Sequence, residues 1–379
     1  MPASSLIYLD HNATTPVVPE AQAAMERAQR EAWANPGSRH RAGRRARQVL
    51  EEAREQVATI LGAKPAEVIF TSGGTESNNL ALMGLFDRSR PGVAVLPGEH
   101  PSVEEPVQRL VARGARRVPL PITANGGLDT SELDRLPWNE IGLVAVVLAH
   151  SETGVIRDVS RLRELADEHR TPWHLDAVQA VGKISVDFGR FGATTLSLAA
   201  HKFGGPRGVG VLLLRQNARL TPLMAGGLQE GERRPGTESA PLAAGMAAAL
   251  GAWQRDQAER TARLGQLRQK FETALLERCA PAIVHGGNAE RLPNTVNIAF
   301  PGCESDSLLV ALDLAGIACS IGTACASGST EPAPILVAMG CPVEVQKSSV
   351  RFSLGWNTTE EHIREAVERI ASTVGSLRR

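Results

Sequence analysis

Four absences narrow the reading of this sequence before any motif is considered. Net charge is absent: 41 Lys and Arg balance 41 Asp and Glu, which argues against a general nucleic-acid or anionic-membrane binder. A membrane-length apolar run of about 18 residues is absent; the strongest run, Ile141 to Ala149, has the length of a strand. The opening MPASSLIYLDHN has no basic segment followed by an apolar core, so no secretory leader is expected. Paired cysteines are absent too. The five present are an odd number with no close pairs at metal-ligand spacing, which points to the reducing cytoplasm and to no metal site. No internal repeat or low-complexity tract stands out.

What remains is a chain of 379 residues, 42% hydrophobic and with 36 glycines, long enough for two or three domains of an α/β enzyme. One stretch organises it. An apolar run (Leu196, Leu198, Ala199, Ala200) leads into His201-Lys202, a loop with Gly204, Gly205, Pro206, Gly208 and Gly210, and a second apolar run, Val211 to Leu214. This spacing predicts strand, sharp loop, strand, with Lys202 at the loop edge. A lysine in a glycine-dense, nearly charge-free setting is suited to a lowered pKa and to Schiff-base chemistry. Earlier, Trp173-His174-Leu175 reads as a short strand with Asp176 at its carboxyl end, where ligands bind in open α/β sheets. Taken alone, Asp176 fits a helix N-cap equally well. An acid and a lysine at the ends of two buried strands suggest pyridoxal phosphate, the acid keeping the pyridine nitrogen protonated and the lysine carrying the aldehyde.

The remaining elements alternate. Helices are predicted over Pro19 to Trp33, Arg44 to Leu61 and Asn78 to Phe86. Strands are predicted at Glu67 to Phe70, Val93 to Leu96, Arg117 to Leu120 and Leu143 to Leu148. The alternation implies a mostly parallel sheet with right-handed crossovers. Thr71-Ser72-Gly73-Gly74-Thr75-Glu76-Ser77, between strand and helix, has the form of an anion cradle. Helices at Pro241 to Gln254 and Gln257 to Cys279 lead away from this sheet. Beyond them lie a strand at Thr295 to Ala299, a helix at Ser305 to Ala315, a glycine- and cysteine-rich loop, a strand at Ser349 to Ser353 and a last helix from about Thr359. A capping box is expected at Thr358-x-x-Glu361. The predicted architecture is a large sheet domain over residues 16–254 and a smaller α+β domain from 1–15 and 255–379.

The residues, in order, then spell a family. From YLDHNATTP at Tyr8 through NPGSRHRAG, FTSGGTES, GEHPSV, ETGV, HLDAVQ, AHKFGGPRGVG, RRPGTES and GTACASGSTEP to SVRFSLG ending at Gly355, the chain resembles the cysteine desulfurases of the NifS and IscS type. These are class V, fold-type I pyridoxal-phosphate enzymes. The resemblance implies Lys202 as the Schiff-base lysine, Asp176 as the pyridinium partner and Gln179 as donor to the cofactor's phenolic oxygen. His100 would stack on the ring; Gly74, Thr75 and His201 would bind the phosphate. Thr237 would reach the phosphate of the other subunit, so a homodimer is implied. Arg351 would clamp the substrate carboxylate, with Asn12 and Asn35 on loops that approach the substrate, and Cys325 would take the sulfur of L-cysteine as a persulfide and pass it to an acceptor or iron–sulfur scaffold protein. Two positions depart from the pattern. His150-Ser151-Glu152 stands where the family has Asn-Asn-Glu, and Ala199 stands where it has serine. His150 is expected to donate one hydrogen bond toward the cofactor or substrate and to titrate near neutrality; Ala199 removes a phosphate hydrogen bond. These changes make a selenocysteine lyase, or another class V aminotransferase or lyase, the competing reading. A non-enzymatic scaffold would have little reason to keep Lys202, Asp176, Cys325 and Arg351 together.

Overall fold

The computed structural model describes residues 6–322 and 332–378; Cys325 lies outside them. Its strands are β1 (Ile7–Tyr8), β2 (Val68–Thr71), β3 (Gly92–Val95), β4 (Arg116–Pro119), β5 (Ile141–Val147), β6 (Trp173–Asp176), β7 (Thr195–Ala199), β8 (Gly210–Leu214), β9 (Ile283–Val284), β10 (Thr295–Ala299), β11 (Ile317–Ala318) and β12 (Ser349–Ser353). Every residue of β5 is buried. That happens only when both faces of a strand are covered, and alternation decides which side chain goes where. Val144 and Val146 join one apolar cluster, with Leu50, Val57 and Met246 of the helices Arg41–Ile60 and Ala240–Arg255. Leu143 and Ala145 join the opposite one, with Leu80 and Leu82 of the helix Gly74–Leu85 and Val103 and Val107 of the helix Pro101–Val111.

The large sheet runs β2-β8-β7-β6-β5-β3-β4. Strands β4, β3, β5, β6 and β7 are parallel, while β8 runs antiparallel to both β7 and β2. The mostly parallel α/β arrangement expected from the alternation is present. Parallel pairing matters for the site because it lines up the carboxyl ends of neighbouring strands: Val147 pairs with Asp176, and Asp176 with Ser197.

A third apolar cluster gathers β1, β10 and β12 with the helices Gln257–Arg278, Ser305–Leu314 and Glu360–Leu377. Here β10 pairs antiparallel with β9 and β12, and β1 pairs in parallel with β11. The N-terminal strand is thus built into the C-terminal part of the chain. No helix among the described residues is long and apolar enough to cross a membrane.

Three local expectations need correction. The last helix is capped by Thr359, whose hydroxyl accepts from the His362 amide at 3.1 Å. Thr358 cannot do so because its own hydroxyl takes the Gly355 N–H at 2.9 Å. The helix predicted from Arg44 starts at Arg41, because His40 Nδ1 accepts from the Gly43 amide and so acts as the cap. The helix predicted from Asn78 begins at Gly74, inside the glycine turn.

Candidate active site

Strands β5, β6 and β7 end at one cavity of about 600 Å³. It is lined by Gly74 and Thr75 at the start of their helix, by His100, by His150 and Ser151, by Asp176, Val178 and Gln179, and by Ala199, His201 and Lys202. Residues that sequence reading took from five separate stretches therefore share one space.

Asp176 is buried, and its two oxygens are held differently. Oδ1 accepts from the Val178 amide at 2.9 Å, so the carboxylate does cap a turn. Oδ2 accepts from Asn78 Nδ2 at 2.7 Å. Because Asn78 gives its amino end to a carboxylate, its Oδ1 must face the other way, toward His174 Nε2 at 2.9 Å. Nε2 then carries the ring proton, and Nδ1 accepts from the Thr195 hydroxyl at 2.9 Å. Burial pushes His174 down to about 4, so the ring is neutral at physiological pH and this assignment is self-consistent. A chain of donors, Thr195 to His174 to Asn78, ends on Asp176. Sequence reading missed Asn78 and His174, since nothing local marks a polar residue whose partner lies 96 or 98 positions away.

Lys202 Nζ donates to two backbone carbonyls, Asn12 O at 2.7 Å and Ala13 O at 2.9 Å. The Asn12 carbonyl also accepts from Gln179 Nε2 at 2.9 Å. Asn12 thus acts from behind the cavity through its backbone, while its buried side chain donates to Ser151 O and Thr295 Oγ1, both at 2.9 Å. His100 caps the helix Pro101–Val111: its Nδ1 accepts from the Ser102 amide at 3.0 Å. Burial lowers its pKa, against the pull of Asp176. His201 is pushed down to about 4, first by burial and then by the charges of Lys202 and Arg207.

The glycine turn has the form of an anion cradle. Gly73 sits at φ 153°, a region that favours glycine, and offers no side-chain cap to the helix behind it. A Cβ on Gly74 would stand 2.8 Å from Val178 Cγ2. The uncapped first-turn amides and this close approach leave donors where an anion would sit.

His150 is not the residue its spelling suggested. Its Nε2 donates to Gly98 O at 2.9 Å and its Nδ1 accepts from the Glu152 amide at 3.1 Å. Burial, reinforced by the nearby Arg157 charge, pushes it down to about 3. It lines the cavity as a neutral ring whose single donor is spent on backbone, and it does not titrate near neutrality. Arg351, on β12, is buried between two carboxylates, with Asp10 Oδ1 at 2.9 Å and Glu152 Oε1 at 2.5 Å. It does not line the cavity, and neither do Asn35 or Thr237. Asn35 is exposed, its oxygen taken by the Gly37 amide at 2.8 Å, and Thr237 is exposed as well. Cys319 is half-buried against the apolar cluster that holds β1, β10 and β12, and burial pushes its thiol up to about 12, so it reads as structure and not as a partner thiol.

A lysine and a braced carboxylate at the ends of adjacent parallel strands, facing an uncapped glycine cradle across one cavity, define a pyridoxal-phosphate enzyme. The cavity volume suits such a cofactor, and the groups that line it could serve its parts: amides at 74 and 75 a phosphate, Asp176 a ring nitrogen, Lys202 an aldehyde.

Comparison with known proteins narrows the class. The model of the aminotransferase class-V family matches residues 7–365. Curated relatives include the cysteine desulfurase IscS of Dictyoglomus turgidum, 38% identical over 98% of this chain and 95% of the relative. The IscS-like cysteine desulfurase of Mycobacterium tuberculosis is 40% identical over 99% of this chain and 98% of the relative. Among solved structures, a NifS-like protein superposes with TM-score 0.92 at 30% identity, covering 98% of this chain and all of that one. The chain belongs to the class-V aminotransferases and, within them, to the cysteine desulfurases of the NifS and IscS type.

Proposed function

We propose that this protein removes sulfur from L-cysteine, yielding L-alanine and a persulfide on Cys325, and passes that sulfur to an acceptor or iron–sulfur scaffold protein. The observation that carries the chemistry is the placement of Lys202 and Asp176 at neighbouring strand ends on one cavity. When bound, pyridoxal phosphate supplies an electrophilic carbon for the substrate amine and a sink for electrons released at Cα. Asp176, held by Asn78 and the Val178 amide, keeps positive charge on the ring nitrogen. His100 covers the ring face, and Gln179 donates to the ring oxygen. Gly74, Thr75 and His201 hold the phosphate. Lys202 moves the proton at the substrate Cα as general base. Arg351, steadied by Asp10 and Glu152, turns toward the substrate carboxylate, with Asn12 and Asn35 beside its path. The Cys325 thiolate attacks the substrate sulfur; the carbon–sulfur bond breaks, its electron pair stays with the carbon skeleton, and that carbon takes up a proton to give alanine. One sulfur atom moves, and no outside oxidant or reductant is required.

The segment that bears Cys325 leaves the described structure beside Arg351. Ser320 and Arg351 exchange both backbone hydrogen bonds, at 3.1 and 2.7 Å. A Cβ on Gly322 would lie 2.3 Å from Ala333 Cβ, so the two ends of the segment meet. That anchorage beside the substrate arginine supports Cys325 as sulfur acceptor.

A homodimer fits the same reading. Thr237 is exposed and away from its own chain's cavity, as expected of a residue that reaches the partner's phosphate. Trp33 and Leu228, 71% and 75% exposed, lie close in sequence to Asn35 and Thr237 and offer apolar surface for a partner copy. The cluster around β1, β10 and β12, separate from the two that flank the large sheet, supports a division into a large domain, 16–254, and a small one, 1–15 with 255–379. The free cysteines among the described residues support a reducing, cytoplasmic setting, and the lack of net charge supports action without nucleic acid or an anionic membrane. The test is direct: purified protein incubated with L-cysteine should form alanine and, with a reductant, sulfide in equal amounts. Alanine absent, or formed only from L-selenocysteine, would overturn the assignment.

A further inference from the structure

Lys183 is buried, with 6% of its surface exposed, yet neither of its hydrogen-bond partners is an acid. Nζ donates to two side-chain amide oxygens, Asn12 Oδ1 at 2.8 Å and Gln179 Oε1 at 2.5 Å. Burial, together with the charges of Lys202 and Arg351, holds its pKa well below the ordinary lysine value. A neutral amine has two N–H groups, and here there are two acceptors for them.

The consequence falls on Gln179. The two ends of a glutamine amide are similar in shape, and only the partners decide which way it points. With its N–H groups directed at Asn12 Oδ1 and Gln179 Oε1, Lys183 holds Oε1 on its own side, in agreement with the Asn12 carbonyl, which can only accept. Nε2 is thereby turned toward the Asn12 carbonyl, to which one hydrogen goes at 2.9 Å. The other remains for the cavity that Gln179 lines. The Asn12 carbonyl is also the acceptor for Lys202. Asn12 Oδ1, the second oxygen held by Lys183, accepts from Asn294 Nδ2 at 3.1 Å as well.

We propose that Lys183 is a positioning residue: it locks the Gln179 amide with an N–H toward the cofactor, and it anchors the Asn12 loop whose carbonyl Lys202 and Gln179 share. This rests on Gln179 being the donor to the cofactor's ring oxygen. Without Lys183 the amide keeps only the Asn12 carbonyl to set its direction, on a loop that has lost one of its anchors, so the N–H toward the ring oxygen is held less firmly.

The test uses the holoenzyme and reads the visible absorption maximum and the cofactor dissociation constant in Lys183→Met, Gln179→Leu and the double variant. Lys183→Met should shift the maximum in the same direction as Gln179→Leu and weaken cofactor binding about tenfold, the worth of one hydrogen bond. The double variant should shift no further than Gln179→Leu alone, because Lys183 acts through Gln179. A merely structural lysine would lower stability and leave the maximum in place. If Gln179→Leu shifts the maximum and Lys183→Met does not, or if the two shifts add, the proposal is overturned. If Gln179→Leu itself leaves the spectrum unchanged, the role of Gln179 fails first, and the proposal falls with it. Lys183→Ala, read the same way, replaces Lys183→Met should that variant not fold.

Discussion

Replacing Asn78 by leucine is the sharpest probe of how the site carboxylate is held. The branching and heavy-atom count of the side chain are kept and three hydrogen bonds disappear: to Asp176 at 2.7 Å, to Ser102 at 2.8 Å and from His174 at 2.9 Å. The His174 N–H is fully buried and would be orphaned, at about 1–3 kcal/mol. Loss of the bond to the Asp176 carboxylate costs roughly 1.5–3 kcal/mol more, and added apolar burial returns about 1 kcal/mol. The net is a destabilisation of about 1.5–5 kcal/mol. For a 379-residue chain, unfolding entropy of roughly 2.1 cal/mol/K per residue turns this into a Tm lower by about 2–6 °C. The assay is urea and thermal unfolding of the cofactor-loaded protein, with the cofactor dissociation constant measured in parallel. Adding His174→Phe should recover part of the loss, because the orphaned donor goes with it. Stability within about 0.5 kcal/mol of the parent and unaltered cofactor affinity in Asn78→Leu would refute the bracing role assigned to this chain of residues.

Other expectations follow from the same geometry. Cys325→Ser should bind cofactor and substrate, since Lys202 and Arg351 remain, but mass spectrometry should find no added sulfur, and alanine formation should nearly cease; alanine released at the parental rate would make the reaction a simple lyase. Gly74→Ala should weaken cofactor binding at least tenfold, because the new methyl meets Val178 at 2.8 Å; a spectral titration that matches the parent counts against the cradle. His150 and His174, held at about 3 and about 4 in the fold, have pKa values below their unfolded value of 6.5. Their contribution is complete above that value and is lost as the pH falls through 6.5 toward 3, each steepening the fall by up to about 1.4 kcal/mol per pH unit. Glu99, pushed up to about 8 chiefly by burial, has the opposite sign: its contribution is complete below about 4.5 and lost as pH rises through 8. Urea midpoints between pH 5 and 9 should therefore trace a dome, and a flat profile would contradict these burials.

What was legible in the sequence had a local spelling. Lys202 and Asp176 stood out because a strand followed by a turn is written in consecutive residues, and the cradle because glycines are needed at consecutive positions. The strands Thr295–Ala299 and Ser349–Ser353 were readable to the residue because their alternation is uninterrupted. Asn78, His174 and Lys183 were not, because what defines each is a partner at long sequence range: Asp176 for Asn78, and Asn12, 171 positions away, for Lys183. His150 was misread for the same reason in reverse. Its ring looked like a new titrating group until Gly98, 52 residues distant, was found to take its only donor. The capping box failed on competition: Thr358 and Thr359 are equally suited as caps by type, and the Gly355 amide had already engaged the first.

The parallel pairing of β1 with β11 has a consequence for how the protein comes into being on the ribosome. Residues 7 and 8 find their partners only at 317 and 318, which at roughly 5–20 residues per second are made some 15–60 s later. The large sheet can complete itself in that interval, Lys202 and Asp176 included. The Asn12 carbonyl that receives Lys202 cannot be seated until the small sheet closes, since Asn12 is tied to Ser353 and Thr295. A half-made chain therefore carries the lysine and the carboxylate without the strap that sets them. Competence to take up the cofactor in its working geometry arrives only after Ser353 has been made, long after Lys202 and Asp176.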